Sequence, residues 1–237
     1  MGQGESGGLE SAQTSAWSSY RVNRVAPEDR AIHDWYRFVL SFPPHLVRDY
    51  LDKFELTPQD CVLDPFAGTG TTLVECQKQG IPSIGIEANP MAHFACQTKL
   101  DWDLRPQELV DHANGIARQA RRELTWFPGD GLRHTLSAAG EKVLLRNSIS
   151  PQPLHKALLL LEQIERDPLS RFTAHEKLAL AKAVVGSASN LRFAPEASVV
   201  RARDDAPVID LWLQSVNAMA QDLQGVADCS GGIAQVF

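Results

Sequence analysis

Two short apolar runs constrain this chain more than any other feature: each ends in an acid, and a glycine loop and one helix-length segment lie between them. Cys61-Val-Leu-Asp64 is long enough for a buried strand and too short for a helix. Pro65-Phe-Ala-Gly-Thr-Gly-Thr-Thr72 has loop chemistry, Leu73 to Gln79 reads as helical, and Gly80 stops the helix. Ser83-Ile-Gly-Ile-Glu87 repeats the first pattern, and Pro90 stands where a further helix begins. Strand, helix, strand, helix at this spacing leaves two parallel strands joined by a crossover, so the fold class is α/β.

The rest of the chain divides around that unit. Residues 1–30 are rich in Ser, Gly and Gln and read as a flexible N-terminal arm. Residues 31–104 form the βαβα region, entered through Pro43 and Pro44, which break one helix and start another over His45–Phe54. Strand signals then fade. Segments 106–125, 154–166, 174–190 and 206–224 carry helical spacing, with Leu154, Leu158, Leu161 and Ile164 the clearest stripe. Turn chemistry at Pro128-Gly-Asp-Gly, Ser150-Pro-Gln-Pro and Ala194-Pro-Glu separates them, so 105–230 is expected to be a helical insertion. A β-like run returns at 231–237, read as the start of a third strand and as the point where the chain is truncated.

Composition narrows the partners. A net charge of −6 over 237 residues makes extended nucleic-acid binding depend on local basic patches. Arg192, Arg201 and Arg203 flank a proline-containing loop and are the better candidates; Arg118, Arg121 and Arg122 read as a solvated helix face. The cysteines, 61, 76, 96 and 229, form no C-x-x-C pair, so no metal site is expected, and Cys61 and Cys76 read as small buried hydrophobes. His93, His112, His134, His155 and His175 read as surface or packing residues. Neither a secretory signal nor a bilayer-length apolar run is visible, and the expected setting is cytoplasmic.

Parallel sheets bind ligands beyond the carboxyl ends of their strands. There Gly68 and Gly70 let backbone approach a ligand, and Asp64 and Glu87 place two carboxylates about one strand apart. A dinucleotide loop would continue to a third glycine, but Thr71, Thr72 and Leu73 follow. No Gly-Lys-Ser/Thr makes it a P-loop. An acid at the end of the first strand repels phosphate and favours a cationic ligand, such as the ammonium and sulfonium of S-adenosylmethionine, while Glu87 suits a ribose diol.

Asp64-Pro-Phe-Ala-Gly-Thr-Gly-Thr-Thr72 resembles the cofactor motif of the DNA amino-methyltransferases, the adenine-N6 and cytosine-N4 enzymes. Ser83-Ile-Gly-Ile-Glu-Ala-Asn-Pro90 is similar to their second-strand motif, and Phe42-Pro-Pro-His-Leu-Val47 to the segment that closes over the cofactor. The resemblance spans roughly residues 33 to 102. It implies a partial Rossmann-like methyltransferase sheet with a large helical insertion or subdomain. It also implies S-adenosylmethionine as cofactor and an exocyclic amino group of a DNA base as methyl acceptor. The implied cofactor residues are Phe42, Pro43, Asp64, Phe66, Gly68, Thr69, Gly70, Thr71, Thr72, Glu87, Ala88 and Asn89. Glu87 would take the ribose, and Asp64, Phe66, Gly68 and Gly70 the methionine side.

One expected element is missing. The family's catalytic motif is Asp, Ser or Asn, then Pro-Pro and an aromatic. Ser41-Phe-Pro-Pro-His and Ser150-Pro-Gln-Pro-Leu do not match it, so no catalytic residue is assigned. Three readings stay open: a fragment or half of a DNA methyltransferase completed by a second polypeptide, an RNA enzyme of the tRNA guanine-N2 type, and a non-catalytic cofactor-binding subunit. The target base, recognition sequence and oligomeric state are not legible.

Overall fold

Strand β1 (Val62–Asp64) lies parallel to β2 (Ser83–Gly85), and β2 lies parallel to β5 (Ala234–Val236), giving the order β1-β2-β5. Val62, Leu63 and Asp64 face Ser83, Ile84 and Gly85, which in turn face Ala234, Gln235 and Val236. These positions come from a computed structural model that describes residues 25–38, 41–126, 134–193, 197–200, 202–227, 229 and 231–237. Most of the expected N-terminal arm, the Pro128-Gly-Asp-Gly turn, the Ala194-Pro-Glu loop and Arg201 lie outside the described residues.

The sheet is covered on one face. Helix α1 (Pro44–Lys53) precedes β1, α2 (Thr71–Lys78) joins β1 to β2, and α3 (Pro90–Leu100) follows β2. Leu73 of α2 and Cys96 of α3 are buried with Ala67, and Ala234 and Val236 of β5 pack on them. Because strand side chains alternate, Leu63, Ile84 and Gln235 turn to the opposite face, which is bare: Leu63 is 61% exposed and Ile84 is also exposed. Cys61 shares that parity and is exposed, against the expectation that it is buried; Cys76, on α2, is buried as expected.

The longer part of the chain is helical: α4 (Pro106–Trp126), α5 (Ala138–Val143), α6 (Pro151–Glu165), α7 (Thr173–Ala183) and α8 (Val208–Gly225). The Pro151 and Pro153 pair, expected as a turn, instead occupies the first turn of α6, where prolines lack only amides that a helix leaves unbonded. Helix α4 brings Leu109, Ala113, Ala117 and Ala120 to its inner face, small enough for close approach to Trp212, Val216 and Met219 of α8. The Trp212 indole donates to Glu176 O at 2.9 Å, so this fully buried ring satisfies its one polar atom. Helix α7 ends in a π-helical turn, Val184–Ala188, followed by an antiparallel pair, β3 (Leu191–Phe193) and β4 (Ala197–Val199). That pair departs from the all-helical expectation for this segment: Asn190 closes its open end, accepting from Val200 N at 2.8 Å and Arg203 N at 3.0 Å.

The two parts are tied together through residues 31–36. Ile32 has a left-handed backbone (φ 66°), which a β-branched residue rarely adopts. Its amide and the Trp35 indole both donate to Asp222 of α8, at 2.8 Å each. The chain is mixed α/β, with a small parallel three-stranded sheet and many helices.

Candidate functional site

The β1 loop begins as the strand ends. Asp64 Oδ1 accepts the Phe66 amide at 3.0 Å, an Asx turn that bends the chain away from the sheet. The turn leaves Phe66 86% exposed at the rim. Ala67 N returns to Ile86 O at 3.0 Å, and Gly70 N donates to Ala67 O at 2.8 Å, so the loop is pinned against the end of β2. Gly70 sits at the N-cap of α2 with φ 88°, and a Cβ there would meet Cys96 Sγ at 2.7 Å. Gly68 is left-handed too (φ 55°), and a Cβ there would meet only the Phe66 carbonyl oxygen, at 4.0 Å.

Glu87 joins the two strand ends. One carboxylate oxygen accepts Gly68 N at 2.8 Å, the other Asn89 N at 2.7 Å. A carboxylate offers about four acceptor positions, so roughly half of its capacity is left for a ligand. Asn89 then caps α3, accepting from Met91 N at 2.9 Å and Ala92 N at 3.1 Å. Asp64, Phe66, Gly68, Glu87 and Asn89 are thus linked at two neighbouring strand ends, with exposed Ala88 between the last two. Neither Asp64 nor Glu87 has a cationic partner among the described residues. The buried thiol of Cys96 is pushed up to about 12, chiefly by burial, with Asp64 and Glu87 adding to the rise and Lys99 opposing it.

The remaining expected residues divide. Thr69 and Thr71 are buried, so what they can offer a ligand is backbone. Thr72 lines an apolar groove of about 370 Å³ together with Phe42, Leu46, Tyr50 and Phe54, which sets the Phe42 segment beside the helix that follows the glycine loop. Pro43 is the N-cap of α1.

A buried ionic network behind the loop was not legible in the sequence. Glu75 of α2, 1% exposed, accepts from His33 Nε2 at 2.7 Å, Arg48 at 2.8 Å and Lys78 at 2.8 Å. Arg48 continues to Asp29 at 2.6 Å. Burial holds the His33 imidazole down to about 4. Burial works against the Glu75 carboxylate, but its bonds to His33 and Lys78 lead a set of partners that bring it to about 2. Both directions describe one state, a neutral imidazole donating to an ionised carboxylate. Only the Glu75/Lys78 spacing could have been read along the helix; His33 lies 42 residues away. Among the described residues no cluster of His, Cys, Asp and Glu is arranged to hold a metal ion.

A family described as DNA methylase matches residues 9–96. The chain is 36% identical over 87 residues to Type II methyltransferase M.BsoBI of Geobacillus stearothermophilus, covering 37% of this chain and 17% of that one. It is 31% identical over 105 residues to Type II methyltransferase M.AvaI of Nostoc, covering 44% and 18%. To Type II methyltransferase M.MjaII of Methanocaldococcus jannaschii it is 39% identical over 69 residues, covering 29% and 13%. The chain therefore spans less than a fifth of the length of these curated relatives. No solved structure matches it. The matched segment contains the glycine loop, both carboxylates and the first two strands, and over that segment the chain is similar to the DNA methylases.

Proposed function

We propose that Asp64, Glu87 and the loop between them bind S-adenosylmethionine, and that this chain is the cofactor-binding part of an enzyme methylating an exocyclic amino group of a DNA base. The observation that carries the reading is the pair of carboxylates at neighbouring strand ends, without a cationic partner among the described residues, across a loop whose left-handed Gly68 donates its amide to Glu87. A cationic ligand with a vicinal diol completes that charge arrangement; a pyrophosphate would be repelled by it. Asp64 attracts the ammonium and sulfonium end, the free lone pairs of Glu87 take ribose hydroxyls, and exposed Phe66 and Phe42 supply apolar cover. The cofactor, when bound, supplies an electrophilic methyl group; the chain's own residues hold it in place and exclude water.

On this reading β1, β2 and β5 are part of a Rossmann-like methyltransferase sheet, residues 31–104 are the cofactor region, and 105–230 an insertion whose partner is DNA. The bare face carrying Leu63 and Ile84 and the groove lined by Phe42, Tyr50 and Phe54 support a second polypeptide segment that packs there and brings the catalytic motif. The relatives' names as Type II methyltransferases support a place in a restriction-modification pair. None of the helices described here is long and apolar enough to cross a membrane, which agrees with a cytoplasmic setting.

The test is calorimetric titration of the full chain with S-adenosylmethionine, NAD and ATP in turn. Saturable binding of S-adenosylmethionine that neither nucleotide displaces is the expected result. Preference for NAD or ATP would overturn the assignment.

A further inference from the structure

Away from the two carboxylates, a cavity of about 240 Å³ opens where residues 36–38, the end of α7, the π-helical turn and β3 converge. Three aromatic side chains line it: Tyr36, Phe38 and Phe193. Tyr36 and Phe38 meet edge-on, with ring centroids 5.9 Å apart at 78°. Phe193 comes from a distant part of the chain and is 40% exposed. Aromatic faces that converge from separate elements and stay exposed give up burial that folding would otherwise use.

Two cations, Arg37 and Lys182, line the cavity, and Arg203 donates to Ser187 O of the π-helical turn at 2.8 Å. The acids facing them are few: Asp34 lies 3.5 Å from Arg37, and Asp34 and Asp222 act on Lys182 only at longer range. Lys182 and Arg203 have no ion-pair partner among the described residues. In a chain of net charge −6, this is a local concentration of positive charge. At Gly186, in the wall, an added Cβ would meet no atom within 4 Å.

We propose that this cavity binds one unstacked nucleobase of a DNA strand, with the flanking phosphates on Arg37, Lys182 and Arg203. Aromatic faces accept the π-face of any base, and guanidinium and ammonium groups follow the backbone. A base inside a duplex has both faces covered, so only a base out of the stack fits. The site is separate from the cofactor loop. The Tyr36 carbonyl is held by Lys99, nine residues beyond Pro90 along α3, roughly 13 Å from the helix end beside Glu87 at 1.5 Å per residue. The base held here is therefore a displaced neighbour rather than the one presented to the loop. The inference rests on the reading that the chain meets DNA and is independent of which cofactor the loop takes.

The test is fluorescence anisotropy of the full chain with a labelled short single strand, the same sequence as duplex, and the same strand with abasic sites. The single strand is expected to bind more tightly than either. Phe193→Ala and the cavity-filling Gly186→Leu are each expected to weaken it about tenfold, and Lys182→Gln to flatten its salt dependence. Unchanged circular dichroism and unchanged S-adenosylmethionine titration show that the variants fold and that the cofactor site is intact. Equal affinity of wild type, Phe193→Ala and Gly186→Leu would overturn the proposal. So would a preference for duplex, or equal binding of the abasic strand. Failure of the cofactor titration alone would count against the loop assignment and leave this one standing.

Discussion

The Glu87 carboxylate accepts the amide of Gly68 at 2.8 Å, so the acid that ends β2 holds the loop that follows β1. On the proposed reading the same carboxylate also takes the ligand, and binding and loop order are then coupled at this residue.

Glu87→Ala is expected to free the Gly68 and Asn89 amides together. Hydrogen exchange should report loss of protection at both, and urea unfolding a loss of about 1–2 kcal/mol, modest because the site is half-buried. Retained protection of Gly68 would mean that the loop is held by its backbone bonds alone.

Gly70→Ala is expected to destabilise by about 1–3 kcal/mol, through a left-handed backbone and a Cβ 2.7 Å from Cys96 Sγ. Cys96→Ala in the same chain should recover the steric part and not the backbone part. A double-mutant cycle on thermal unfolding measures that coupling; strict additivity would rule out the contact.

How much of this was legible follows from the range of the interactions. The β1 loop and Glu87 were readable because the glycines, the acids and the strand period are local, and the loop and Asn89 come together through residues close in sequence. The longer helices were readable from apolar spacing, although α6 starts at Pro151, where proline was read as a turn rather than a first helical position, and the short α5 was not foreseen. The β3/β4 pair was missed because Asn190, which opens it, is held by Asn147 and Ser150, forty and more residues away. The Glu75 network was missed for the same reason. The exposure of Cys61 was missed because an apolar run does not say which face of a sheet is covered.

Glu75→Ala is expected to cost about 3 kcal/mol, since it leaves His33, Arg48 and Lys78 without their shared acceptor. The wild-type network should also make stability fall in acid. His33, held at about 4, stays neutral in the folded chain while the unfolded chain takes up a proton below about 6.5, so stability drops as pH falls from about 6.5 to 4. Glu75, held near 2, adds a loss from about 4.5 downward. Urea midpoints across pH 3–7 check both, and His33→Gln should remove the slope in the upper part of that window.

Lys99 is buried, with the Tyr36 carbonyl as the acceptor of its amine, and burial lowers its pKa to about 7. The unfolded chain binds this proton up to about 10.5 and the folded chain does not, so stability should rise with pH between about 7 and 10.5. Lys99→Met should flatten that rise and stabilise the chain at pH 7 by about 2 kcal/mol, less the lost bond to Tyr36. Thermal melts of the two proteins across this range decide; parallel curves would contradict the assignment.

The most direct test of the central claim is isothermal titration of S-adenosylmethionine into the wild-type chain, Asp64→Asn and Glu87→Gln, at two salt concentrations. Both substitutions keep shape and remove charge. The account predicts that each weakens binding at least tenfold, and that the Asp64→Asn loss shrinks for the uncharged-sulfur analogue S-adenosylhomocysteine. Wild-type affinity in both variants would contradict it.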